Sequence, residues 1–313
     1  MSDWSRVYVA GHTGLVGSAI VRRLAREPVG TLLTRTRAEL DLTDRIAVEQ
    51  FFARERPTAV FLAAARVGGI HANMTHPADF IRENLLIETH VIDAAWRHGT
   101  QKLLFLGSSC IYPRLAPQPI REESLLTGPL EITNQAYAIA KIAGLELCRA
   151  YRVQHGFDAI AAMPTNLYGP GDNFEPTEAH VIPALMRRFV EAQALGQREV
   201  VVWGSGTPRR EFLHVDDLAD ALVFLMHRYS AEGIVNVGSG QEVSIAELAT
   251  LIAKIVGFEG AIRFDASQPD GTPRKLLDGS MLDRMGWRAA RDLEAGLRET
   301  WQWYRESARS HPA

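Results

Sequence analysis

Short apolar runs alternate with helical patterns along the first half of the chain. In the helical stretches the apolar residues recur every three or four positions, whereas the runs between them are continuously apolar. The pattern predicts strands at 6–10, 31–33, 59–63, 102–106 and 159–162, separated by helices at 15–26, 44–54, 81–98 and 137–154. Apolar strands separated by helices are typical of parallel strands covered on both faces. We therefore predict an α/β fold with a Rossmann-type, doubly wound parallel sheet.

The second half has a different pattern. Proline, glycine and asparagine concentrate at 165–173, a composition typical of a loop. Helices at 180–195 and 216–227 and strands at 200–202 and 234–237 follow, and Ser244 with Glu247 predicts a capped helix start. We expect a first domain over 1–165, to which a segment around 205–240 returns. A smaller, partly interleaved C-terminal α/β domain is expected over 166–313.

Charge and composition exclude several classes of protein. Lys and Arg total 34 against 37 for Asp and Glu, a net charge of −3, so the chain has no basic field for a nucleic-acid partner. No apolar run approaches the ~18 residues of a membrane helix, and the first residues lack a signal-peptide core. Two cysteines, Cys110 and Cys148, are too few for a disulfide framework. We expect a cytoplasmic protein without membrane or nucleic-acid partners.

A glycine loop joins the first strand to the first helix. It reads Gly11-His12-Thr13-Gly14-Leu15-Val16-Gly17, where missing side chains allow a tight turn and let a pyrophosphate approach the helix N-terminus. The end of the second strand carries Arg35 and Arg37 before any acidic residue, which favours the 2′-phosphate of NADP over the free ribose of NAD. Asp41 and Leu42 are predicted to frame the adenine. The first domain is therefore predicted to bind NADPH.

Three further residues predict reductase chemistry. Tyr137 and Lys141 stand four positions apart on one helix face, where an ammonium lowers the pKa of a neighbouring phenol and makes it a proton donor to a carbonyl. Ser108 follows the fourth strand and is predicted to bind the same carbonyl oxygen.

Cys110 and His180 offer a second chemistry. A thiol and an imidazole both exchange protons near neutrality, so together they could remove and return protons beside a carbonyl. A cysteine at a strand end also fits simple packing, and a histidine at a helix start fits a cap. The residues alone leave this open, while Cys148 is predicted to be core.

With these motifs the chain resembles the GDP-L-fucose synthases. This family consists of epimerase-reductases of the extended short-chain dehydrogenase/reductase group. The resemblance covers nearly the whole chain. It rests on the glycine loop, the Tyr137/Lys141 pair and the stretches 63–70, 106–113, 163–170, 203–208, 210–217 and Pro269–Asp278.

The resemblance implies 3,5-epimerisation of GDP-4-keto-6-deoxy-D-mannose, followed by NADPH-dependent reduction at carbon 4 to give GDP-L-fucose. Cys110 and His180 would exchange the protons, and Tyr137 would protonate the oxygen with help from Lys141 and Ser108. It implies a second domain that binds substrate, a homodimer, and two groups of ligands. The cofactor would contact the glycine loop, Arg37, Asp41, Leu42, Leu106, Gly107, Ser108, Ser109, Lys141, Pro164, Thr165, Asn166, Leu167 and His180. The GDP-sugar would contact Arg188, Trp203, Arg210 and Asp270, with Lys275 near its phosphates.

One departure and two alternatives accompany this hypothesis. The family often carries a basic residue where this chain has Thr13, so Arg37 bears more of the 2′-phosphate recognition. Another nucleotide-sugar 4-epimerase or 4-keto reductase would not require Cys110 or His180. A dinucleotide sensor without turnover would not require Tyr137 and Lys141. No metal site is predicted.

Overall fold

The computed structural model describes residues 3–175, 179–268 and 270–310. Its strands are β1 (Arg6–Ala10), β2 (Thr31–Leu33), β3 (Ala59–Leu62), β4 (Lys102–Leu106), β5 (Asp158–Pro164), β6 (Asn166–Tyr168), β7 (Glu199–Trp203), β8 (Arg209–His214), β9 (Ile234–Val237), β10 (Glu242–Ser244), β11 (Ala261–Asp265) and β12 (Arg274–Lys275). Its α-helices are α1 (Leu15–Leu24), α2 (Arg45–Glu55), α3 (Ile70–Thr75), α4 (Pro77–Arg97), α5 (Gln135–His155), α6 (Val181–Ala194), α7 (Val215–Arg228), α8 (Ile245–Val256), α9 (Ser280–Met285) and α10 (Leu293–Ser310). No helix among these residues is both long and apolar enough to cross a membrane.

Six parallel strands form the main sheet, in the order β2-β1-β3-β4-β5-β9. Alternate side chains of these strands enter two different cores, as the period of a strand requires. Tyr8, Val60 and Phe105 pack under α2, α4 and α5, whereas Val7 and Phe61 pack under α1 and α7. The predicted doubly wound parallel sheet is confirmed.

The second half of the chain builds smaller sheets. β8 lies between antiparallel β10 and parallel β12 and also pairs with β6, while β7 pairs with β11. Helices α6 and α8 contribute to a third core with these strands. β9 and α7 nevertheless pack with the main sheet, within the segment expected to return to it. The domain boundaries themselves stay a prediction.

Several local predictions can be compared with the structure. Ser244 and Glu247 form the predicted capping box, and Cys148 is buried in the core. The expectation of a plain loop at 165–173 is wrong for its first part, because β6 forms there by pairing with β8. A partner distant in sequence therefore overrides the local composition. Pro269, in one of the matched stretches, lies outside the described residues.

Candidate active site

The glycine loop forms a cradle in front of α1. Gly11 has φ +84°, and a Cβ at Gly17 would lie 2.0 Å from the Gly11 carbonyl oxygen, so both positions need glycine. Gly14 caps α1 with no side-chain hydrogen bond, and the first turn has no acidic residue. Nδ1 of His12 is buried and has no hydrogen-bond partner in the described part of the chain. The open amide groups, the helix dipole and this unpartnered nitrogen fit a dinucleotide pyrophosphate.

The two arginines after β2 have different surroundings. Arg35 pairs with Glu55 at 3.1 Å and lies over the Phe51 ring, so its charge is already engaged. The side chain of Arg37 is 74% exposed and lies 3.6 Å from Glu83, which also holds Arg66 at 2.6 Å. Arg37 is therefore the better candidate for a 2′-phosphate, which would compete with Glu83 for it.

Asp41 and Leu42 lie beyond these arginines. The carboxylate of Asp41 accepts hydrogen bonds from the backbone and hydroxyl of Thr43, which lower its pKa, and Leu42 is buried. Thr13 is exposed and uncharged, so it brings no cation to this end of the site.

The carboxyl ends of β4 and β5 provide the other predicted cofactor residues. Leu106 is buried. A Cβ at Gly107 would lie 2.2 Å from the Met163 side chain, so the backbone at Gly107 packs directly against Met163. Thr165 and Asn166 both donate hydrogen bonds to the backbone oxygen of Glu211. The remaining predicted residues here are Ser109, which is buried, and Pro164 and Leu167, which lie in β5 and β6. The contacts of this group to a cofactor stay a prediction.

Ser108 lies between Cys110 and Tyr137. It caps the short 3₁₀ helix Ser109–Ile111, where its Oγ accepts from the Cys110 backbone N–H at 3.2 Å. The surrounding protein raises the pKa of Tyr137 well above its usual range, and negative charge at Cys110 and Glu88 adds to this rise. A hydrogen bond from Ser108 opposes it. The expected lowering by Lys141 is therefore not found, and the phenol stays protonated at neutral pH.

Burial is the main cause of the raised Tyr137 pKa, and Glu88, a residue that the sequence did not single out, contributes to it. Glu88 of α4 and Lys141 of α5 form an ion pair at 3.1 Å, and each side chain is 2% exposed. Lys141 also lies over the Phe105 ring, 4.6 Å from its centre, and 6.0 Å from the centre of the Tyr137 ring. Burial raises the pKa of Glu88 and the Lys141 charge opposes this rise. Glu88 stands on the mostly apolar, buried face of α4, and this position in the sequence pattern could have identified it.

Cys110 is partly buried, and side chains from two distant segments contact its sulfur. Nδ2 of Asn134 lies 3.2 Å from Sγ, and Nζ of Lys275 lies 3.7 Å from it. Lys275 was expected near the substrate phosphates, but its contact here is with the thiol. Asn134 carried no signal in the sequence.

His180 precedes α6 as its N-cap residue but makes no capping hydrogen bond with its side chain. His180 is exposed to solvent as a residue. The protein packed around its imidazole nevertheless lowers the pKa of the ring. A mainly neutral imidazole at pH 7 can accept a proton. Its pairing with Cys110 stays a prediction.

The structure brings three of the predicted substrate residues together at the end of β7. Asp270 accepts hydrogen bonds from the backbone and hydroxyl of Ser205, two residues after the 66%-exposed Trp203. Burial lowers the pKa of Arg210, and the charge of Asp270 partly restores it. Arg188 of α6 donates to the backbone oxygen of Val201 in the same strand. Trp203 offers an exposed aromatic side chain, and Arg188 and Arg210 supply guanidinium groups, the kinds of group that suit a nucleoside diphosphate.

Comparisons with known proteins agree with this geometry. The sequence model of the NAD dependent epimerase/dehydratase family matches residues 7–238. GDP-L-fucose synthase 1 of Arabidopsis thaliana is 62% identical over 305 residues, covering 97% of this chain and 94% of the relative. GDP-L-fucose synthase of Escherichia coli is 56% identical over 311 residues, covering 96% and 97%. A GDP-L-fucose synthetase structure from Naegleria fowleri bound to NADP has a TM-score of 0.90 at 31% identity, covering 98% and 96%.

Proposed function

The chain belongs to the NAD dependent epimerase/dehydratase family and, within it, to the GDP-L-fucose synthases, and we propose that it makes GDP-L-fucose from GDP-4-keto-6-deoxy-D-mannose with NADPH. The observation that carries this proposal is the shared site of Tyr137 and Cys110. The Ser108 hydroxyl accepts a hydrogen bond from the Cys110 backbone N–H, and both Ser108 and Cys110 lie close enough to Tyr137 to shift the pKa of its phenol. A plain reductase has no use for that thiol.

Epimerisation comes first, because the ketone at carbon 4 acidifies the protons on carbons 3 and 5. Cys110 and His180 exchange these protons and so invert both centres. Arg188, Trp203, Arg210 and Asp270 hold the GDP part of the substrate during this exchange. Arginine suits the diphosphate because its planar guanidinium can donate two parallel hydrogen bonds.

Reduction follows in the same site. When bound, NADPH supplies the hydride for carbon 4. Tyr137 protonates the carbonyl oxygen, because its phenol is protonated at neutral pH and the alkoxide that forms at carbon 4 is a stronger base than a tyrosinate. Ser108 donates a hydrogen bond to the same oxygen, and Lys141, whose charge is balanced by Glu88, assists from a position 6.0 Å from the centre of the Tyr137 ring.

The binding of NADPH is assigned to the first domain, 1–165 with a return at 205–240, and that of the GDP-sugar to 166–313. We place the protein in the cytoplasm, since Cys110 and Cys148 are both free thiols and catalysis requires the first to stay reduced.

A homodimer is also proposed. Helix α5 leaves Ile139 and Val153 exposed, and an apolar helix face of this kind can pack against a second copy. Light scattering should give twice the 34.7 kDa of one chain, and a mass of one chain would refute the dimer.

The test of the function uses purified protein, NADPH and GDP-4-keto-6-deoxymannose in heavy water, with NMR of the sugar product. GDP-fucose deuterated at carbons 3 and 5 is the expected result. Cys110→Ser should stop deuterium entry, and Cys148→Ser, the matched control, should not. Reduction without deuterium entry would identify a plain 4-keto reductase, and no NADPH oxidation would refute the proposed enzyme altogether.

A further inference from the structure

Glu88 is a buried carboxylate whose close partner is Lys141. It stands on α4, and its Oε1 lies 3.1 Å from Nζ of Lys141 on α5, with both side chains 2% exposed. Neither carboxylate oxygen has another hydrogen-bond donor among the described residues. Gly144 of α5 leaves room for the carboxylate, because a Cβ there would lie 2.7 Å from Oε2. The two helices therefore pack closely around this pair of opposite charges.

The pair limits the electrostatic effect of Lys141 on Tyr137. Nζ of Lys141 lies 6.0 Å from the centre of the Tyr137 ring, much farther than from the Glu88 oxygen. A charge with a close counter-charge has a weak field beyond the pair. Burial raises the pKa of Tyr137 above its usual range, and the negative charge of Glu88 adds to this rise. Lys141 therefore gives a tyrosinate less support than an unpaired ammonium would.

We propose that Glu88, by pairing with Lys141, withholds positive charge from Tyr137 and so delays reduction until carbons 3 and 5 have been inverted. The inference rests on the proposed function and concerns the order of its two reactions. Glu88 acts through Lys141 and is in this sense a positioning residue.

The order matters because both reactions use the same ketone. Epimerisation removes and returns the protons on carbons 3 and 5, which the carbonyl at carbon 4 acidifies. Reduction adds a hydride from NADPH to carbon 4 and a proton from Tyr137 to the oxygen, leaving NADP+ and a tyrosinate. The carbonyl is then gone, so a sugar that is reduced too early keeps its original configuration. A site that joins the two reactions therefore needs the reduction to be the slower one.

The acidity of the proton donor can slow reduction selectively. Negative charge grows on the carbonyl oxygen as the hydride arrives, and this oxygen must finally take the whole proton from Tyr137. Epimerisation also charges this oxygen, but the enolate spreads the charge over the neighbouring carbon and needs no full proton transfer. Reduction therefore depends more steeply on the acidity of the phenol. An unpaired ammonium near Tyr137 would make the phenol a stronger acid, and Glu88 prevents this.

The experiment measures the two reactions separately in full-length wild type and Glu88→Gln. Deuterium entry into GDP-4-keto-6-deoxymannose is followed in heavy water with NADP+ in place of NADPH, and the two proteins should differ by less than about twofold. NADPH oxidation is then followed in a single turnover with enzyme in excess, where Glu88→Gln should be faster by about threefold to tenfold. Calorimetry should show equal binding of NADPH.

Asp93→Asn is the matched control. Asp93 is another carboxylate on α4, and the hydroxyl of Tyr151 on α5 donates a hydrogen bond to it at 2.7 Å. Its substitution should leave both rates unchanged. An unchanged or slower reduction by Glu88→Gln would overturn the proposal, and a slower one would mean that Glu88 only orients Lys141.

A second measurement needs no variant, since Glu88→Gln also lowers the stability of the fold. A single turnover of wild type in heavy water is stopped at increasing times and the remaining ketone is analysed by NMR. This ketone should carry deuterium at carbons 3 and 5 before half of the NADPH is oxidised. A ketone without deuterium at that time would overturn the proposal, because reduction would then not be the slower reaction.

The outcomes separate this inference from the proposed function. If wild type makes GDP-fucose deuterated at both carbons while Glu88→Gln reduces the ketone no faster, only the inference fails. If wild type neither takes up deuterium nor oxidises NADPH, the proposed function fails. Reduction without deuterium entry would overturn both, because no epimerisation would precede it.

Discussion

Replacing Glu88 by glutamine should destabilise the protein strongly, although the new side chain has almost the same shape. Glu88 and Lys141 are each 2% exposed, so Glu88→Gln leaves a buried ammonium without its counter-charge. Breaking one partner of a buried pair costs about 3–5 kcal/mol of unfolding free energy. The space around the carboxylate is also tight, since a Cβ at Gly144 would lie 2.7 Å from Oε2 of Glu88. The site cannot easily collapse or admit water.

Removing both charges should cost much less than the two single changes added together. In Glu88→Gln/Lys141→Met no charge is left without a partner, and a buried ion pair replaced by neutral groups is often nearly neutral in stability. Lys141→Met alone leaves the buried carboxylate, which can take up a proton. We therefore expect Lys141→Met to cost less than Glu88→Gln.

Urea unfolding followed by fluorescence gives the free energies for wild type, both single variants and the double variant. Their double-mutant cycle gives the coupling energy directly. Glu146→Gln is the surface control, because Glu146 pairs with Arg149 on the same helix as Lys141 while 46% exposed, and it should cost less than about 1 kcal/mol. A loss below about 1 kcal/mol for Glu88→Gln, or a strictly additive double variant, would refute the reasoning.

Three further predictions follow from other parts of the site. Tyr137→Phe should abolish NADPH oxidation while NADP binding, followed by calorimetry, stays near normal; normal turnover would remove Tyr137 as the proton donor. Arg37→Ala should raise the KM for NADPH far more than that for NADH, whereas Arg35→Ala should not discriminate; equal effects of Arg37→Ala on both cofactors would place the 2′-phosphate elsewhere. Burial raises the pKa of Asp172 from 3.8 to about 7, so the unfolded chain loses this proton first and the stability of the fold falls between about pH 4 and 7. Asp172→Asn should remove that loss and be more stable than wild type at pH 8 by a few kcal/mol, with little difference at pH 4 in urea unfolding; equal stability at pH 8 would contradict a buried acid here.

The main sheet could be predicted from the sequence because most of its strands are buried on both faces. β1, β2, β4 and β9 begin and end at the predicted residues. Burial accounts for this agreement in β1, β4 and β9, whereas Thr31 and Leu32 of the edge strand β2 are exposed. The short strands β6, β10 and β12 could not be predicted, because their neighbours in β8 supply the pairing and the side chains are mostly only partly buried.

The site residues likewise fall into those that the sequence predicts and those that only the fold reveals. Ser108, Tyr137 and Lys141 follow from local spacing on one strand end and one helix. The contacts of Glu88 with Lys141 and of Lys275 with Cys110 join segments that only the fold brings together. Local patterns identify the reacting groups, whereas the charges that control them come from elsewhere in the chain.

The place of β9 in the main sheet also constrains the order in which a nascent chain can fold. β5 pairs with β4 on one side and needs residues 234–237 on the other, so its outer edge stays unpaired until that later segment has been synthesised. An unpaired, apolar strand edge is a template for pairing with another chain. Chains that stop before β9 should therefore aggregate or be retained by chaperones, and we expect translation to reach β9 before the sheet can close.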